Sequence, residues 1–251
     1  MNHIFQNRRI IRVEQTASTN TYLSQLSSVE KLTEGTVVIT DNQTRGRGQG
    51  KNSWESEPGK NLTFSMILYP TSVEVSAQFI LSKAIALSVA DFLSQFVPKV
   101  SVKWPNDVYV ADKKITGILI ENFIEGAYLT QSIAGIGVNI NQERFVSDAP
   151  NPVSLRQLTG DSYQLDDCLE KICACIAHRY RMITEETHQL HSDYIQHLYR
   201  FGQPTLFSAD GILFEATITG VNQYGMLEMT TASGQYKAFG FKEVRMASEI
   251  Q

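Results

Sequence analysis

The chain has 251 residues, of which 42% are hydrophobic, and its formal net charge is −4 at pH 7. A chain of this length can bury a substantial core as one large domain, with or without a smaller second domain. The composition excludes a globally basic nucleic-acid-binding protein, and the N-terminal residues lack the apolar core of a secretion signal. No run approaches the roughly 20 apolar residues of a membrane span, so we expect a cytoplasmic protein that does not contact a membrane.

The N-terminal third is predicted to contain strands and helices in alternation. A short alternating segment predicts a first strand, after which Ser18 and Thr19 supply N-cap hydroxyls for a helix. β-branched residues predict a strand at 35–43, a further strand is predicted at 61–69, and a glycine-rich loop joins the two. Apolar side chains at helical spacing then predict a long helix over 76–97 that packs on the core.

The middle of the chain is predicted to be a meander of strands. Residues 100–110 predict a strand that Trp104 and Pro105 interrupt, because proline cannot donate to a sheet hydrogen bond. Segments 115–123 and 129–140 predict the next two strands. Strands and helices in this order indicate a mixed α+β fold.

A second amphipathic helix is predicted over 163–187, after a loop at 149–152 that is rich in proline and asparagine. The chain's three cysteines, Cys168, Cys173 and Cys175, all fall within this helix and have no matching histidine or cysteine cluster elsewhere. We therefore expect thiols in the core or at the surface rather than a disulfide framework or a zinc site.

Short strands separated by turn residues begin near residue 200. The predicted strands are 205–209, 213–221, 225–231 and 236–239. Their spacing predicts a small all-β barrel, so we expect domains at 1–200 and 201–251. The predicted fold class is therefore α+β, with a mixed β-sheet flanked by helices and a small C-terminal β-barrel.

The glycine-rich loop at 43–54 combines accessible backbone amides with arginines, which suits the binding of phosphate or carboxylate. The alternative is a flexible, solvated surface loop. Spacing excludes two common nucleotide-binding loops. A P-loop that ends at Lys51 requires glycine at 45 and serine or threonine at 52, whereas the chain has Arg45 and Asn52. A dinucleotide-binding fingerprint that starts at Gly46 requires glycine in place of Lys51.

Six short segments in a fixed order carry a resemblance to a known family. They are STN at 18–20, Gln43, Trp54, KWPND at 103–107, KKITGIL at 113–119 and GIGVNIN at 135–141. Together they span most of residues 10–141 and resemble the catalytic domain of biotin protein ligases. The residues beyond 200 resemble the small C-terminal barrel of that family. The resemblance implies a class II synthetase-like catalytic domain followed by an SH3-like barrel.

This resemblance implies an enzyme that uses ATP to activate biotin as biotinyl-5′-AMP and then transfers biotin to a lysine of a biotin carboxyl carrier protein domain. Mg²⁺ would be shared among the phosphate oxygens. Arg47 corresponds to an arginine at the biotin carboxylate and α-phosphate, assisted by the amides around Gly46 and Gly48. Lys114 corresponds to a lysine at the biotinyl carbonyl, and Lys103 would serve the triphosphate. A solvated surface charge is the alternative for either lysine.

The resemblance assigns three overlapping sets of residues. The implied biotin-binding residues are Ser18, Thr19, Asn20, Gln43, Gly46, Arg47, Lys114 and Gly117. The implied ATP-binding residues are Arg47, Gly48, Trp54, Lys103, Asn106 and Asn139. The implied catalytic residues are Arg47, Lys103, Asp107 and Lys114, and no residue is assigned as a metal ligand, although Asn106 and Asp107 would help to place the metal or the incoming amine. Two alternatives stay open: a role for Ser18 or Thr19 as a helix cap alone, and a role for Asn139 as a residue that closes a strand edge.

The chain departs from the family pattern in two places. Many members continue the loop as GRGRRGR, whereas here Gln49 stands at the second arginine and the later arginines are absent. We therefore expect biotinyl-AMP to be held less tightly. About 17 residues precede STN, too few for the helix-turn-helix of repressor-type members, so we expect no DNA binding. A monomer and a homodimer are both compatible with the sequence.

Two other functions remain as alternatives. A lipoate-protein ligase would also form an acyl-AMP, but the GRG loop together with KWPND and KKITGIL favours biotin. A non-catalytic ligand-binding module would hold an anionic ligand without turnover. The joint presence of Arg47, Lys103 and Lys114 argues against such a module.

Overall fold

The computed structural model describes residues 5, 8–50, 52–146 and 151–247. Lys51, which entered the loop comparison above, lies outside the described residues. So do residues 149 and 150 of the predicted proline-rich loop.

Seven strands form one mixed sheet with the order β1-β2-β3-β7-β6-β5-β4. The strands are β1 (Ile10–Thr16), β2 (Val37–Gln43), β3 (Leu62–Leu68), β4 (Val100–Lys103), β5 (Asp107–Val110), β6 (Lys113–Glu125) and β7 (Tyr128–Val138). β1 and β2 are parallel, and the other neighbours are antiparallel. The parallel pair requires a crossover, which the first helix supplies. The predicted mixed sheet is confirmed.

Helices cover both faces of this sheet. They are α1 (Thr19–Val29), α2 (Phe79–Leu93), α3 (Leu155–Thr159), α4 (Leu165–Glu185) and α5 (Thr187–Gln196). Alternate residues of a strand point to opposite faces, so Val37 joins the core beneath α2 and α4, whereas Val38 packs with Leu23 of α1. Every residue of β3 is buried, as a central strand with two covered faces requires.

The two predicted long helices are present, with small differences at their ends. The helix predicted over 76–97 is α2, and a short 3₁₀ turn at Val75–Ala77 precedes it. By length and composition alone Val75–Leu93 could cross a membrane, so the expectation that no run approaches such a span was wrong. In the fold, 56% of its most apolar window is buried. The helix predicted over 163–187 is α4, and the sequence did not reveal α3 or α5.

A second, antiparallel sheet of five strands follows near the C-terminus. It consists of β8 (Pro204–Ala209), β9 (Ile212–Val221), β10 (Leu227–Thr231), β11 (Tyr236–Phe239) and β12 (Arg245–Met246), in the order β11-β10-β9-β8-β12. The four predicted strands are present, and β12 was missed. Phe207, Ile218 and Met229 extend the main hydrophobic core into this sheet. The domain boundary near residue 200 stays a prediction.

Candidate active site

A cavity of about 880 Å³ lies between the seven-stranded sheet and the C-terminal sheet. Most predicted site residues line it: Ser18, Thr19, Asn20, Gln43, Arg47, Gly48, Trp54, Lys103, Asn106, Asp107, Lys114 and Gly117. The C-terminal sheet and the segments flanking its last strand add Phe207, Leu227, Phe241, Lys242, Val244, Arg245 and Met246. Two predicted residues, Gly46 and Asn139, are not among the lining residues. The fold thus brings together, around one cavity, side chains that lie up to more than 200 positions apart in the sequence.

The glycine-rich loop connects the antiparallel strands β2 and β3 and folds back on itself as a small hairpin. The Gly48 amide donates to the Asn52 carbonyl (2.7 Å), and the Trp54 amide donates to the Gly46 carbonyl (2.9 Å). A Cβ atom at Gly46 would lie 2.3 Å from the Trp54 carbonyl oxygen, so only glycine fits there. Gly46 therefore shapes the hairpin, and this geometry holds Arg47 and Gly48 at the cavity.

Ser18 and Thr19 begin α1 at the edge of the cavity. Ser18 is the N-cap, and its hydroxyl accepts from the Thr21 amide at 3.5 Å. The side-chain carbonyl of Gln43 accepts from the Thr19 amide (2.9 Å) and lies 3.3 Å from the Thr19 hydroxyl. Ser18 and Thr19 are 5% and 3% exposed, so both are buried polar groups of the cavity wall. The capping role is thus present in the structure, and it coexists with a position at the cavity.

A continuous hydrogen-bonded chain runs from this helix start to the loop arginine. The Ser65 hydroxyl lies 2.7 Å from the Thr19 hydroxyl and 2.5 Å from Asn20 Oδ1. Asn20 Nδ2 donates to Glu121 Oε2 at 2.7 Å, and Arg47 Nη2 donates to the same oxygen at 2.9 Å. The chain of contacts, which we call the Gln43–Arg47 network, consists of Gln43, Thr19, Ser65, Asn20, Glu121 and Arg47. It connects the part of the cavity predicted to hold a polar ring with the part predicted to hold an anion.

The floor of the cavity is a pair of glycines beneath an indole. Gly117 on β6 and Gly137 on β7 are register partners. A Cβ atom at Gly137 would lie 2.3 Å from Trp54 Cε2, and one at Gly117 would lie 2.9 Å from Trp54 Cζ3. The indole therefore lies directly on the backbone of both strands. Its buried Nε1 finds no acceptor among the described residues, which leaves an unsatisfied donor in the cavity wall.

The lysines lie where the sheet turns between β4, β5 and β6. The peptide bond between Trp104 and Pro105 is cis, and the resulting turn places Lys103 and Asp107 as register partners. Lys114 Nζ lies 2.8 Å from Asp107 Oδ2. Burial lowers the pKa of the Lys103 ammonium to about 8; the Asp107 carboxylate opposes this effect and the Lys114 ammonium reinforces it. Lys114 is thus paired with the Asp107 carboxylate, while Lys103 Nζ lies 5.2 Å from the centroid of the Tyr109 ring.

Asn106 and Asn139 are held by backbone carbonyls. Asn106 Nδ2 donates to the Ile118 carbonyl at 2.5 Å, which ties the turn to β6. Asn139 Nδ2 donates to the Val153 carbonyl at 3.1 Å, and its buried Oδ1 has no partner among the described residues. The contact with Val153 agrees with the alternative in which Asn139 closes the end of a strand. Its assignment to ATP stays a prediction.

Sequence reasoning missed four groups at the site. Ser65 and Glu121 complete the Gln43–Arg47 network, and each interrupts a largely apolar strand, a signal that could have identified them. Lys242 and Arg245 reach the cavity from the C-terminal sheet region. None of the ion pairs among the described residues involves either of these cations. Nothing in the local sequence distinguishes them from ordinary surface charges.

Comparisons with known proteins place these features in a family. The model of the biotin/lipoate A/B protein ligase family matches residues 13–139. A Bacillus spizizenii protein named bifunctional ligase/repressor BirA is 34% identical over 154 residues, which are 59% of this chain and 46% of that protein. A Mycobacterium tuberculosis biotin–[acetyl-CoA-carboxylase] ligase is 30% identical over 155 residues, covering 60% of this chain and 56% of that protein. The chain thus spans about half the length of the curated relatives it matches.

A solved structure extends the similarity to nearly the whole chain. The biotin protein ligase of Aquifex aeolicus, in complex with biotin and ATP, is 25% identical with a TM-score of 0.79, covering 95% of this chain and 99% of that one. The residues matched by the family model make up just over half of the 251 residues. They include the glycine-rich loop, the turn between β4 and β5 at residues 103–107 (the lysine turn) and the paired glycines. The chain therefore belongs to the biotin/lipoate A/B protein ligase family.

Proposed function

We propose that the chain is an ATP-dependent ligase that activates biotin as biotinyl-5′-AMP and transfers biotin to a lysine of a biotin carboxyl carrier protein domain. The Gln43–Arg47 network carries this proposal. It joins polar side chains that could bind a small polar ring to the arginine of the glycine-rich loop. Two lysines and the paired glycines Gly117 and Gly137 line the same cavity. The similarity to a solved ligase in complex with biotin and ATP supports it.

The polar end of the cavity suits a ureido ring, which has two N–H donors and one carbonyl acceptor. Thr19 and Gln43 offer a hydroxyl and an amide there, and Ser18 adds a second hydroxyl. The Trp54 indole, which fills the space above the two glycines, offers an apolar surface to a chain that leads toward Arg47. A ligand with a polar ring, an apolar chain and a terminal carboxylate matches this order of groups.

In the first half-reaction, an oxygen of the biotin carboxylate forms a bond to the α-phosphorus of ATP, and the bond from that phosphorus to pyrophosphate breaks. Negative charge converges at this point, so positioned cations lower the barrier. Arg47 would contact the carboxylate and α-phosphate, Lys114 the reacting oxygens and Lys103 the triphosphate. Loop closure over the product would exclude the water that hydrolyses an acyl adenylate.

Mg²⁺ fits this proposal as a companion of the nucleotide. No group of three His, Cys, Asp or Glu side chains in the described parts of the chain could hold a metal ion. Asp107 supplies only one carboxylate, and Lys114 already forms an ion pair with it. Magnesium commonly takes most of its ligands from phosphates and water, and Asn106 or Asp107 would contribute from the protein.

In the second half-reaction, the acceptor lysine attacks the anhydride carbonyl and AMP leaves. We propose that Asp107 accepts a hydrogen bond from the incoming amine, because it lies at the cavity beside Lys114. The cytoplasmic location, the carrier protein and the choice between monomer and homodimer stay predictions.

The decisive experiment is to incubate the protein with biotin, Mg·ATP and a biotin carboxyl carrier domain and to weigh the carrier by mass spectrometry. The expected result is one covalent biotinyl addition. With lipoate in place of biotin, we expect no addition. Preferential addition of lipoate would show that lipoate, and not biotin, is the substrate. Absence of biotin-dependent pyrophosphate exchange would instead identify a binding module without turnover.

Lys103 makes nucleotide use dependent on pH. Its ammonium, with a pKa lowered from 10.5 to about 8, loses its charge as the pH rises through that value. A neutral amine attracts phosphate less, so kcat/KM for ATP should fall roughly fivefold to tenfold between pH 7 and pH 9. Lys103→Arg, whose guanidinium stays charged, should flatten the profile. An equal fall in that variant would assign the titration to another group.

Gln49 should limit how long the adenylate is retained. It lines the cavity, and its buried Oε1 has no partner among the described residues. Gln49→Arg adds a permanent cation, so we expect biotinyl-AMP to dissociate about tenfold more slowly. Chase with unlabelled biotin and ATP measures this rate, and Gln49→Leu serves as the uncharged control. An unchanged rate in Gln49→Arg would refute the expectation.

A further inference from the structure

One carboxylate joins the two ends of the Gln43–Arg47 network. Oε2 of Glu121 accepts from Asn20 Nδ2 at 2.7 Å and from Arg47 Nη2 at 2.9 Å. Asn20 belongs to the buried helix start, whereas Arg47 belongs to the glycine-rich loop. The start of the loop is tied to its neighbours by the amides of Thr44 and Arg45, which donate to the Thr16 and Ala17 carbonyls at 2.9 Å. From residue 46 to residue 54 the backbone hydrogen bonds among the described residues are internal to the hairpin, so the ion pair and the indole of Trp54 are what hold this hairpin to the sheet.

The guanidinium held by Glu121 is the group that the proposed function needs for the substrate carboxylate. A second carboxylate that arrives at Arg47 must either displace Glu121 or approach it closely. Displacement costs the existing ion pair, and close approach places like charges side by side. In both cases the charge of Glu121 opposes binding of the substrate carboxylate.

The strength of the pair suits a contact that is made and broken. The side chains of Arg47 and Glu121 are 44% and 36% exposed. An exposed ion pair changes an equilibrium constant by only about twofold to fivefold. A pair of this strength favours one position of the loop, and it is weak enough for a substrate anion to replace Glu121 as the partner of Arg47.

We propose that Glu121 is a positioning residue that holds Arg47, and with it the glycine-rich loop, against the sheet until the carboxylate of the substrate replaces it. The proposal rests on the proposed function for the identity of that carboxylate. Asn20 keeps its contacts with Ser65 and with the Leu119 carbonyl when Arg47 leaves, so the helix start stays in place. Glu121 therefore competes with ligands that present an anion to Arg47, whereas a neutral ligand leaves the ion pair in place.

The test compares biotin with biotinamide, which has the same ring and chain but no charge. Glu121→Gln keeps the size of the side chain and removes the charge. By isothermal titration calorimetry, the variant should bind biotin about twofold to fivefold more tightly than the unmodified protein does, and biotinamide equally well. Glu125→Gln, an exposed carboxylate on the same strand, is the matched control and should change neither affinity. Equal shifts for both ligands, no shift, or weaker biotin binding would overturn the proposal.

A second measurement does not depend on biotin. Hydrogen exchange of the Gly48 and Trp54 amides, both hydrogen-bonded within the loop, reports how often the loop opens. Glu121→Gln should raise their exchange rates about twofold to fivefold, and Glu125→Gln should not. Unchanged exchange rates in Glu121→Gln would overturn the proposed role of Glu121, whatever the result of the biotin titration. Failure of the unmodified protein to bind biotin would overturn the proposed function instead, and the exchange result would still decide the role of Glu121.

Discussion

Replacing Arg47 by alanine is expected to slow biotin-dependent pyrophosphate exchange by a factor on the order of 10² to 10³. Positioned donors that meet charge developing in a transition state typically contribute this much. Arg47 lines the cavity and is held 2.9 Å from Glu121, so its guanidinium is already oriented toward the sheet. Exchange of labelled pyrophosphate into ATP measures the first half-reaction without a carrier protein.

Two comparisons make the Arg47 result interpretable. Arg12→Ala removes an exposed arginine that forms an ion pair with Asp166 and does not line the cavity, so exchange should stay within about twofold of the unmodified rate. Arg47→Lys keeps the charge without the planar fork and should be intermediate. If Arg47→Ala retains more than a third of the activity, Arg47 does not act on the reacting groups.

Replacing Gly135 by alanine is expected to lower the affinity for biotin on the order of 100-fold. A Cβ atom there would lie 2.3 Å from Asn20 Oδ1, and Asn20 cannot move away because Ser65 and Glu121 hold it. Asn20 is only 3% exposed, so the collision displaces the helix start, and displacements of about 1 Å at a reacting site have effects of this size. Overpacking should also reduce the free energy of unfolding by about 1–3 kcal/mol.

Titration calorimetry with biotin and thermal unfolding separate these two effects. Gly220→Ala, on β9 of the C-terminal sheet, is the control, because its Cβ would meet only the flexible carboxylate of Glu228, at 2.8 Å. That variant should unfold at nearly the unmodified temperature and bind biotin normally. If the Gly135→Ala protein folds and its biotin affinity is unchanged, the Gln43–Arg47 network does not contribute to biotin binding.

Much of the fold follows from local patterns. A run of β-branched residues became β2, a largely apolar segment became β3, and the interruption at Trp104 and Pro105 became the turn between β4 and β5. The missed helix α5 follows α4 almost directly, since only Glu186 separates them. No glycine or proline marks that break, so periodicity alone could not reveal it.

The site was predicted only in part, because its key contacts join distant positions. Motif resemblance identified Asn20 and Arg47, but the carboxylate that joins them lies 101 residues from the first and 74 from the second. Their meeting depends on the pairing of β3, β7 and β6, which brings together residues from distant parts of the chain. Lys242 and Arg245 reach the cavity only because the C-terminal sheet packs beside it.

The indole that lies on Gly117 and Gly137 gives the molecule an intrinsic optical signal. The chain has two tryptophans, and both Trp54 and Trp104 line the cavity. Trp104 Nε1 donates to the Gly225 carbonyl at 2.8 Å, so the second fluorophore bridges the lysine turn and the C-terminal sheet. All tryptophan emission therefore originates at the cavity wall, and changes in its wavelength or intensity report on that wall without any attached dye.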